Sequence, residues 1–572
     1  MKYWLTLGFV CVLTGFAAGQ TADVVREQTG PDDHNAIGRN GMVVCVSPPA
    51  ADVGLAILKK GGNAVDAAVA VAFAEAVTWP EAGNLGGGGF MMVWPGTSKA
   101  PAMIDYREMA PAKATPDMFA NGPIDYMSHK VSGVPGTVRG LALAHSKFGT
   151  LPWKDLVAPA AKLAGDGFAM DAALARRLNN VLADRRTRNA EFVRVYGKNG
   201  TRTEKWAAGD VLKLPDLAKT LTAIMEKGPD AFYTGAIAAL LEKEMRAGGG
   251  IMTAADLAAY KAKERTPVQG TYRGNTIVGP PPPSSGGYAV IEALNILENF
   301  DLASHPRQSP ETVHLIAEAM QRAFADRARH LGDSDFVTVP DSLLSKEYAK
   351  TLAAKIDLTK ATKSETLAGD VQLATGREGN STTQFSIVDK TGMAVSNTYT
   401  LENSFGNRVL VRGAGYLLNN EMTDFNTRPG VTNRSGSIGT PPNDVAPGKR
   451  MLSSMTPLFV AKDGKLLLVT GSPGGRTIIN TVLCVVINTI DYDMDARAAV
   501  DAPRLHHQWF PDRLTIERLK DNPDLAGKLR AMGHAVANTN AQGDAHTIRI
   551  DPKTGMYQGA ADKRLDGKAA GY

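Results

Sequence analysis

The apolar pattern is densest near the start of the chain, in "GLAILKKGGNAVDAAVAVAFAEAV". It reads as two helices. Gly61 and Gly62 close the first, Asn63 caps the second, and Asp66 stands three residues on, in its first turn. The second helix is almost all Ala and Val, without a polar face, which predicts burial on every side. "NLGGGGFMMVW" follows as a glycine turn entering a strand. Residues 140–265 alternate charged faces with polar turns and read as mostly helical. "GPPPPSSGG" (279–287) is a rigid turn before the helix "YAVIEALNILENF". An amphipathic helix is predicted over 311–331, stopped by Gly332. Residues 20–40 read as a polar leader and 355–380 as an exposed linker. After residue 381 the pattern changes to short strands and glycine turns, and no internal repeat is present.

At that boundary "TTQFSIVD" and "MAVSNTYT" flank an Asp-x-x-Gly turn, which predicts a β-hairpin. Centred near residue 391, it sets Thr382 opposite Thr400, with Cβ atoms about 5 Å apart. A slip of one residue would reverse the face. Threonine is a good strand former, and that alone explains a Thr-rich hairpin. Chemistry offers a second explanation. A hydroxyl can attack the preceding carbonyl and cut its own chain between Ser381 and Thr382. The freed α-amine then serves as base for the Thr382 side-chain oxygen. Such a nucleophile needs an oxyanion hole. "VTGSPGGRTIIN" is a strand, a turn and a helix-like run whose Gly474 and Gly475 N–H groups suit that use; an ordinary turn is the alternative.

Composition narrows the class. The chain has 572 residues, 44% hydrophobic and 21% charged, with net charge +5 and no long basic run. This excludes nucleic acid as a partner. Lys2, the apolar run from Trp4 to Phe16 and the small residues after it describe a secretory signal peptide, taken as residues 1–19. The run is short for a membrane span, so no stable span is expected after its removal and the mature protein is periplasmic or secreted; an uncleaved anchor is the alternative. Cys11 falls inside that run. Cys45 and Cys484 sit in apolar, strand-like stretches and read as buried free thiols, or else as one disulfide. His506 and His507, adjacent in a strand, face opposite ways and read as structural; neither a metal nor a cofactor is expected.

Ten segments, in order, carry a resemblance: "GGNAVDAAVA", "GGGGFM", "DYREMAPAKAT", "SGVPGTVRG", "TTQFSIVD", "LLNNEMTDF", "RMLSSMTP", "GSPGG", "PRLHHQW" and the terminal "AGY". Together they resemble the γ-glutamyltransferase (γ-glutamyl transpeptidase) family of N-terminal-nucleophile hydrolases. The resemblance implies an α/β fold, a four-layer αββα sandwich. It implies a precursor that cuts itself into a large subunit (20–381) and a small catalytic subunit (382–572), which remain together as a heterodimer and form one αββα unit. It places the nucleophile at Thr382, supported by Thr400, with Gly474 and Gly475 as the oxyanion hole. It sets Arg107, Ser453 and Ser454 around the donor's α-carboxylate, and Glu402, Glu421 and Asp424 around its α-amine. The implied donors are glutathione and other γ-glutamyl compounds; the acceptors are water, amino acids or peptides.

Two departures stand out. At Glu402 many relatives carry Asn, and on a continuing strand this acid would share the face of Thr400. The segment 429–447 resembles a lid over the site but lacks its tip aromatic; a plain surface loop is the alternative. Two rival functions share the architecture: a glutaryl-cephalosporin-type acylase, which needs no amine site, and an inactive exported binding protein.

Overall fold

The computed structural model describes residues 33–96, 99–120, 122–369, 371, 373–374 and 382–572. The signal-peptide reading of residues 1–19, Cys11 and Ser381 lie outside the described residues.

Two seven-stranded antiparallel sheets form the centre. The first runs Lys568–Gly571, Gly41–Cys45, Thr383–Asp389, Ala394–Thr400, Gly88–Trp94, Ala102–Asp105 and Lys263–Arg265. The second runs Asn35–Gly38, Tyr557–Ala560, Thr547–Ile550, Lys465–Thr470, Leu458–Lys462, Asn275–Gly279 and Val268–Tyr272. Side-chain alternation along each strand decides the layering. In the first sheet Met91, Val93, Phe385 and Ile387 pack into the core of the Ala/Val helix Ala64–Thr78. Phe90, Met92, Trp94 and Val388 point the other way, into a core shared with Phe459, Val460 and Leu468 of the second sheet. Trp94 meets Phe459 edge-on, with ring centroids 6.0 Å apart. Helices Gly286–Leu297 and Thr477–Ile490 bury their apolar residues in that same core. The result is the four-layer αββα sandwich. Both sheets draw strands from both sides of residue 382, so the change in composition there is not a boundary between compact units.

Local chemistry explains the central elements. The Ala/Val helix is capped as expected: the Asn63 side chain accepts from the Val65 and Asp66 N–H groups, and Asp66 reciprocates to the Asn63 N–H. Every residue of it is buried. The hairpin pairs Thr383 with Tyr399 and Ser386 with Ser396, a register that continues to Thr382 opposite Thr400. Its other hydroxyls cross-link the two sheets. Ser386 Oγ donates to the His546 carbonyl at 2.7 Å and Ser396 Oγ to the Thr470 carbonyl at 2.8 Å. The glycine run beside it is required by crowding: a Cβ on Gly87 would stand 2.0 Å from the Thr400 carbonyl oxygen.

Four expectations are corrected. Helix Pro310–His330 is not amphipathic; from Thr312 to Ala328 it is buried all round. Its polar residues are satisfied internally, with Arg322 paired to Glu318, Gln321 donating to Ser364 at 2.8 Å, and His314 bonded to His534 at 2.8 Å. Gly332 serves close packing, since a Cβ there would fall 2.1 Å from the Pro442 carbonyl oxygen. The supposed linker contains a 3₁₀ turn, Ser364–Leu367, whose buried Ser364 accepts the Trp509 indole N–H on its carbonyl at 2.8 Å. The supposed leader includes strand Asn35–Gly38, an edge of the second sheet. Cys484 lies in a helix rather than a strand. A run of buried β-branched residues carries no period that separates the two. Cys45 and Cys484 are both free and buried.

Candidate active site

The open end of the hairpin faces a cavity. Thr382, Thr400, Arg107, Glu402, Asp424, Ser453, Ser454 and Gly475 all line it. Gly474 lines a neighbouring cavity, and Glu421 lies behind Arg107. Thus ten residues scattered over the sequence from 107 to 475 converge on one region.

Thr382 Oγ1 donates to Thr400 Oγ1 at 3.5 Å. Thr400 Oγ1 also accepts the Glu402 N–H at 2.7 Å, and its carbonyl accepts from the Asn84 side chain at 2.8 Å. Thr400 is therefore held through both its hydroxyl and its backbone carbonyl. The expected continuing strand is corrected here. It ends at Thr400, and Glu402 takes a left-handed backbone with φ of 77°. That costly turn, uncommon for a non-glycine residue, is tied down by the bond to Thr400 and leaves Glu402 on the cavity wall.

Opposite the threonines, the turn after strand Lys465–Thr470 enters helix Thr477–Ile490. Gly474 and Gly475 have φ of 131° and 56°, a region that favours glycine. A Cβ at Gly474 would also meet the Thr477 hydroxyl at 2.5 Å. Among the described residues, neither glycine N–H donates to a backbone carbonyl. Two half-buried donors at a helix start suit a developing negative charge.

The cavity wall is also strongly charged. Arg107, 1% exposed, pairs with Glu421 at 2.7 Å, with Asp424, and with Glu108 at 3.4 Å. Its Nε donates to the Met451 carbonyl at 3.3 Å. Burial alone would lower the Arg107 pKa, but Glu421, Asp424, Glu108 and Glu402 outweigh it and hold the guanidinium above its ordinary value. The acids bear the opposite strain. Burial pushes Glu108 up to about 8 despite Arg107, and raises Glu421 well above the usual carboxylate range. One oxygen from each of Glu402, Glu421 and Asp424 lies within 4.8 Å of the others. One cation among four carboxylates leaves room for another positive charge.

Ser453 and Ser454 are anchored by the Pro-rich turn. The Ser453 N–H donates to the Pro283 carbonyl at 2.8 Å, and Ser453 Oγ accepts the Met455 N–H at 3.1 Å. Sequence reasoning missed two contributors. Arg327 lines the cavity and reaches Ser454 Oγ at 3.1 Å and Ser285 Oγ at 2.8 Å. Asn443 donates to the Asp424 carbonyl at 2.7 Å and accepts the Leu452 N–H at 2.8 Å, joining two walls. The signal for Arg327 was a helix with polar residues on every face. Asn443 sits in the 429–447 segment, which forms one wall of the cavity through Ile438, Thr440 and Asn443. His506 and His507 are buried away from this cavity, bonded to Asn480 and paired with Asp512.

Comparison with known proteins agrees with this architecture. A glutathione hydrolase proenzyme of Escherichia coli is 48% identical over 551 residues, covering 94% of this chain and 93% of that protein. The glutathione hydrolase proenzyme of Bacillus subtilis is 40% identical over 559 residues, covering 94% and 92%. Among solved structures, a cephalosporin acylase from Bacillus halodurans superposes with a TM-score of 0.82 at 27% identity, covering 96% of this chain and 99% of that one. The family model for gamma-glutamyltranspeptidase matches residues 50–572. With its αββα layers, its facing threonines and this match over nearly its whole length, the chain belongs to the gamma-glutamyltranspeptidase family.

Proposed function

We propose that this enzyme is a γ-glutamyltransferase and glutathione hydrolase that cuts itself between Ser381 and Thr382. The Thr382 oxygen takes the γ-glutamyl group of glutathione or a related amide as an ester. Its own α-amine is the base, Thr400 steadies the oxygen, and the Gly474 and Gly475 N–H groups receive the oxyanion. Water then releases glutamate, or an amino acid or peptide amine takes the γ-glutamyl group. Arg107, Ser453 and Ser454 bind the donor's α-carboxylate. Glu402 and Asp424 bind its ammonium, and Glu421 acts from behind by holding Arg107. The two pieces stay together as a heterodimer. Export follows from the signal-like start; among the described residues no helix is long and apolar enough to cross a membrane.

The observation that carries this reading is the Thr382–Thr400 pair on the wall of a cavity that is also lined by Arg107, Glu402 and Asp424. The similarity to a cephalosporin acylase favours a second reading, glutaryl transfer, but a glutaryl chain has no amine to meet Glu402 and Asp424. One gel and one assay test both. The wild type should yield a small subunit of roughly 20 kDa out of 60.7 kDa, while Thr382→Ala should run as one chain and hydrolyse nothing. γ-Glutamyl-p-nitroanilide should be turned over and glutaryl-p-nitroanilide ignored. An uncut, active wild type would remove the mechanism; preference for the glutaryl substrate would favour the acylase.

A further inference from the structure

Two acids stand in the Ala/Val helix Ala64–Thr78. Asp66 completes its cap; Glu75, in the last turn, is fully buried against the first sheet. Alternation along the hairpin puts Thr383 and its partner Tyr399 on the helix side, while Thr382 and Thr400 face the other way. Thr383 Oγ1 donates to Glu75 Oε2 at 3.2 Å. The Thr382 nitrogen is one residue from Thr383. Carboxyl and nitrogen are therefore separated by one residue of chain and one hydrogen bond, roughly 7 Å.

The surroundings of Glu75 are neutral or acidic. Strand Gly41–Cys45 brings the Cys45 thiol, and strand Ala394–Thr400 the Tyr399 phenol, whose hydroxyl donates to the Ala72 carbonyl at 3.0 Å. Tyr106, after strand Ala102–Asp105, adds a phenol that donates to Asn397 Oδ1 at 2.6 Å. Burial pushes all three up, so they keep their protons. Asp544, before strand Thr547–Ile550, adds negative charge, as does Asp52 of helix Pro48–Lys59, which is felt at Cys45. Among the described residues no cation pairs with Glu75, and helices Thr137–Phe148 and Trp153–Asp166, packed on the same helix, bring it no charged partner. Burial raises Glu75 to about 8, against the Thr383 bond, which lowers it. The last turn adds to that rise, because a helix C-terminus repels negative charge.

We infer that Glu75, a positioning residue that touches no substrate, sets the proton affinity of the Thr382 amine from the far face of the strand. This rests on the Thr382 amine being the base, as proposed above. While Glu75 carries its proton, the amine faces a neutral group and can act as base. Once Glu75 is ionised, its charge holds a proton on the amine, and a medium up to about one pH unit more alkaline is needed to remove it. An α-amine ordinarily loses its proton near 8, so the two groups titrate as a pair over one range. Before cleavage the Thr382 nitrogen is an amide that does not titrate, so the first cut lies outside the reach of Glu75.

The test is the pH dependence of kcat for γ-glutamyl-p-nitroanilide hydrolysis at saturating donor, in wild type, Glu75→Gln and Glu75→Leu. Gln keeps the shape and an acceptor for Thr383; Leu keeps the apolar layer. Both variants should cut themselves normally and keep the donor KM. Both should move the rising limb of kcat to the acid side by up to about one pH unit. Near pH 8 they should be about twofold to threefold faster than wild type. Toward pH 6, where Glu75 keeps its proton, the three enzymes should agree. A limb that stays in place, or a kcat changed by one factor at every pH, would overturn the assignment and leave Glu75 a packing residue. So would failure of both variants to cut themselves, because the amine does not exist before the cut. If Glu75→Gln alone fails to fold, Glu75→Leu carries the test. A wild type that hydrolyses no donor at all would instead overturn the reading of Thr382 as nucleophile and base.

Discussion

Two buried arginine clusters in this protein are built from the same residue types and differ in charge balance. In the first, Arg107 stands among Glu108, Glu402, Glu421 and Asp424. In the second, Arg504 and Arg564 meet Asp562 and Glu517, two cations for two anions. Arg504 bonds Asp562 at 2.6 Å, Arg564 bonds Asp562 at 3.0 Å, and Glu517 accepts the Arg504 N–H at 2.9 Å. Burial would raise Asp562, yet the two arginines outweigh it and hold its carboxyl well below the usual range. In the Arg107 cluster the same burial wins, and Glu108 and Glu421 rise. A neutral cluster of paired ions holds elements together. An unbalanced one on a cavity is the arrangement that the proposed binding of a donor ammonium requires.

The largest effect should come from breaking the balanced cluster. Arg504→Met strands Asp562 without its closest partner and should cost about 3–5 kcal/mol of stability, read by denaturant unfolding, while the donor KM of the surviving enzyme is unchanged. A normal unfolding midpoint would erase the distinction. Arg107→Lys should give the reverse pattern. It keeps the charge and loses the planar fork, so the donor KM should rise roughly thirtyfold to a hundredfold, about 2–3 kcal/mol, with self-cleavage and stability little changed. Equal KM values would take Arg107 out of the site.

A smaller effect is expected at Glu402. Glu402→Gln keeps an acceptor and loses the charge, so donors should bind more weakly by about 1–2 kcal/mol. The loss should be confined to donors that carry an α-amine; an equal loss for an analogue without it would show that Glu402 acts only on the backbone turn. The smallest is a trend with pH. Glu108 has a folded pKa raised to about 8, so it keeps a proton the unfolded chain gives up near its ordinary value. Its contribution is full at acid pH and is lost as pH rises toward and through 8. Asp562 is lowered, so its contribution is present above its ordinary value and is lost as pH falls below that value and through the lowered folded one. Melting temperature should therefore drop on both sides. Glu108→Gln should flatten the alkaline side alone, and an unchanged alkaline slope in that variant would refute it.

Much of this was legible in the sequence where local chemistry and pattern agree. The Asn63 cap, the Ala/Val helix and the hairpin register around residue 391 follow from short-range rules, and the register sets Thr382 against Thr400. The convergence of Arg107, Asp424, Ser453 and Gly475 was legible through family resemblance, because no local rule joins residues hundreds of positions apart. What failed was buried polarity. Helix Pro310–His330 has charges on all sides, and surface burial rules assign such a pattern to solvent; its partners at Ser364, Thr362 and His534 lie too far along the chain to be seen. Arg327 was missed for that reason. Glu402 was reached by the wrong path, since a positive φ at a glutamate has no sequence signature.

The interleaving of the sheets has a mechanical consequence. In the first sheet, strands Thr383–Asp389 and Ala394–Thr400 lie between Gly41–Cys45 and Gly88–Trp94; in the second, Asn275–Gly279 and Val268–Tyr272 complete an edge begun by Leu458–Lys462. A single cut after residue 381 would leave every one of these ladders intact. Neither fragment could then depart without tearing hydrogen-bonded rows out of both sheets, so dissociation and denaturation would be one event. Dilution should not separate the pieces, and two fragments made independently would each begin life as half of two sheets, with long unpaired edges exposed to whatever strand they met first.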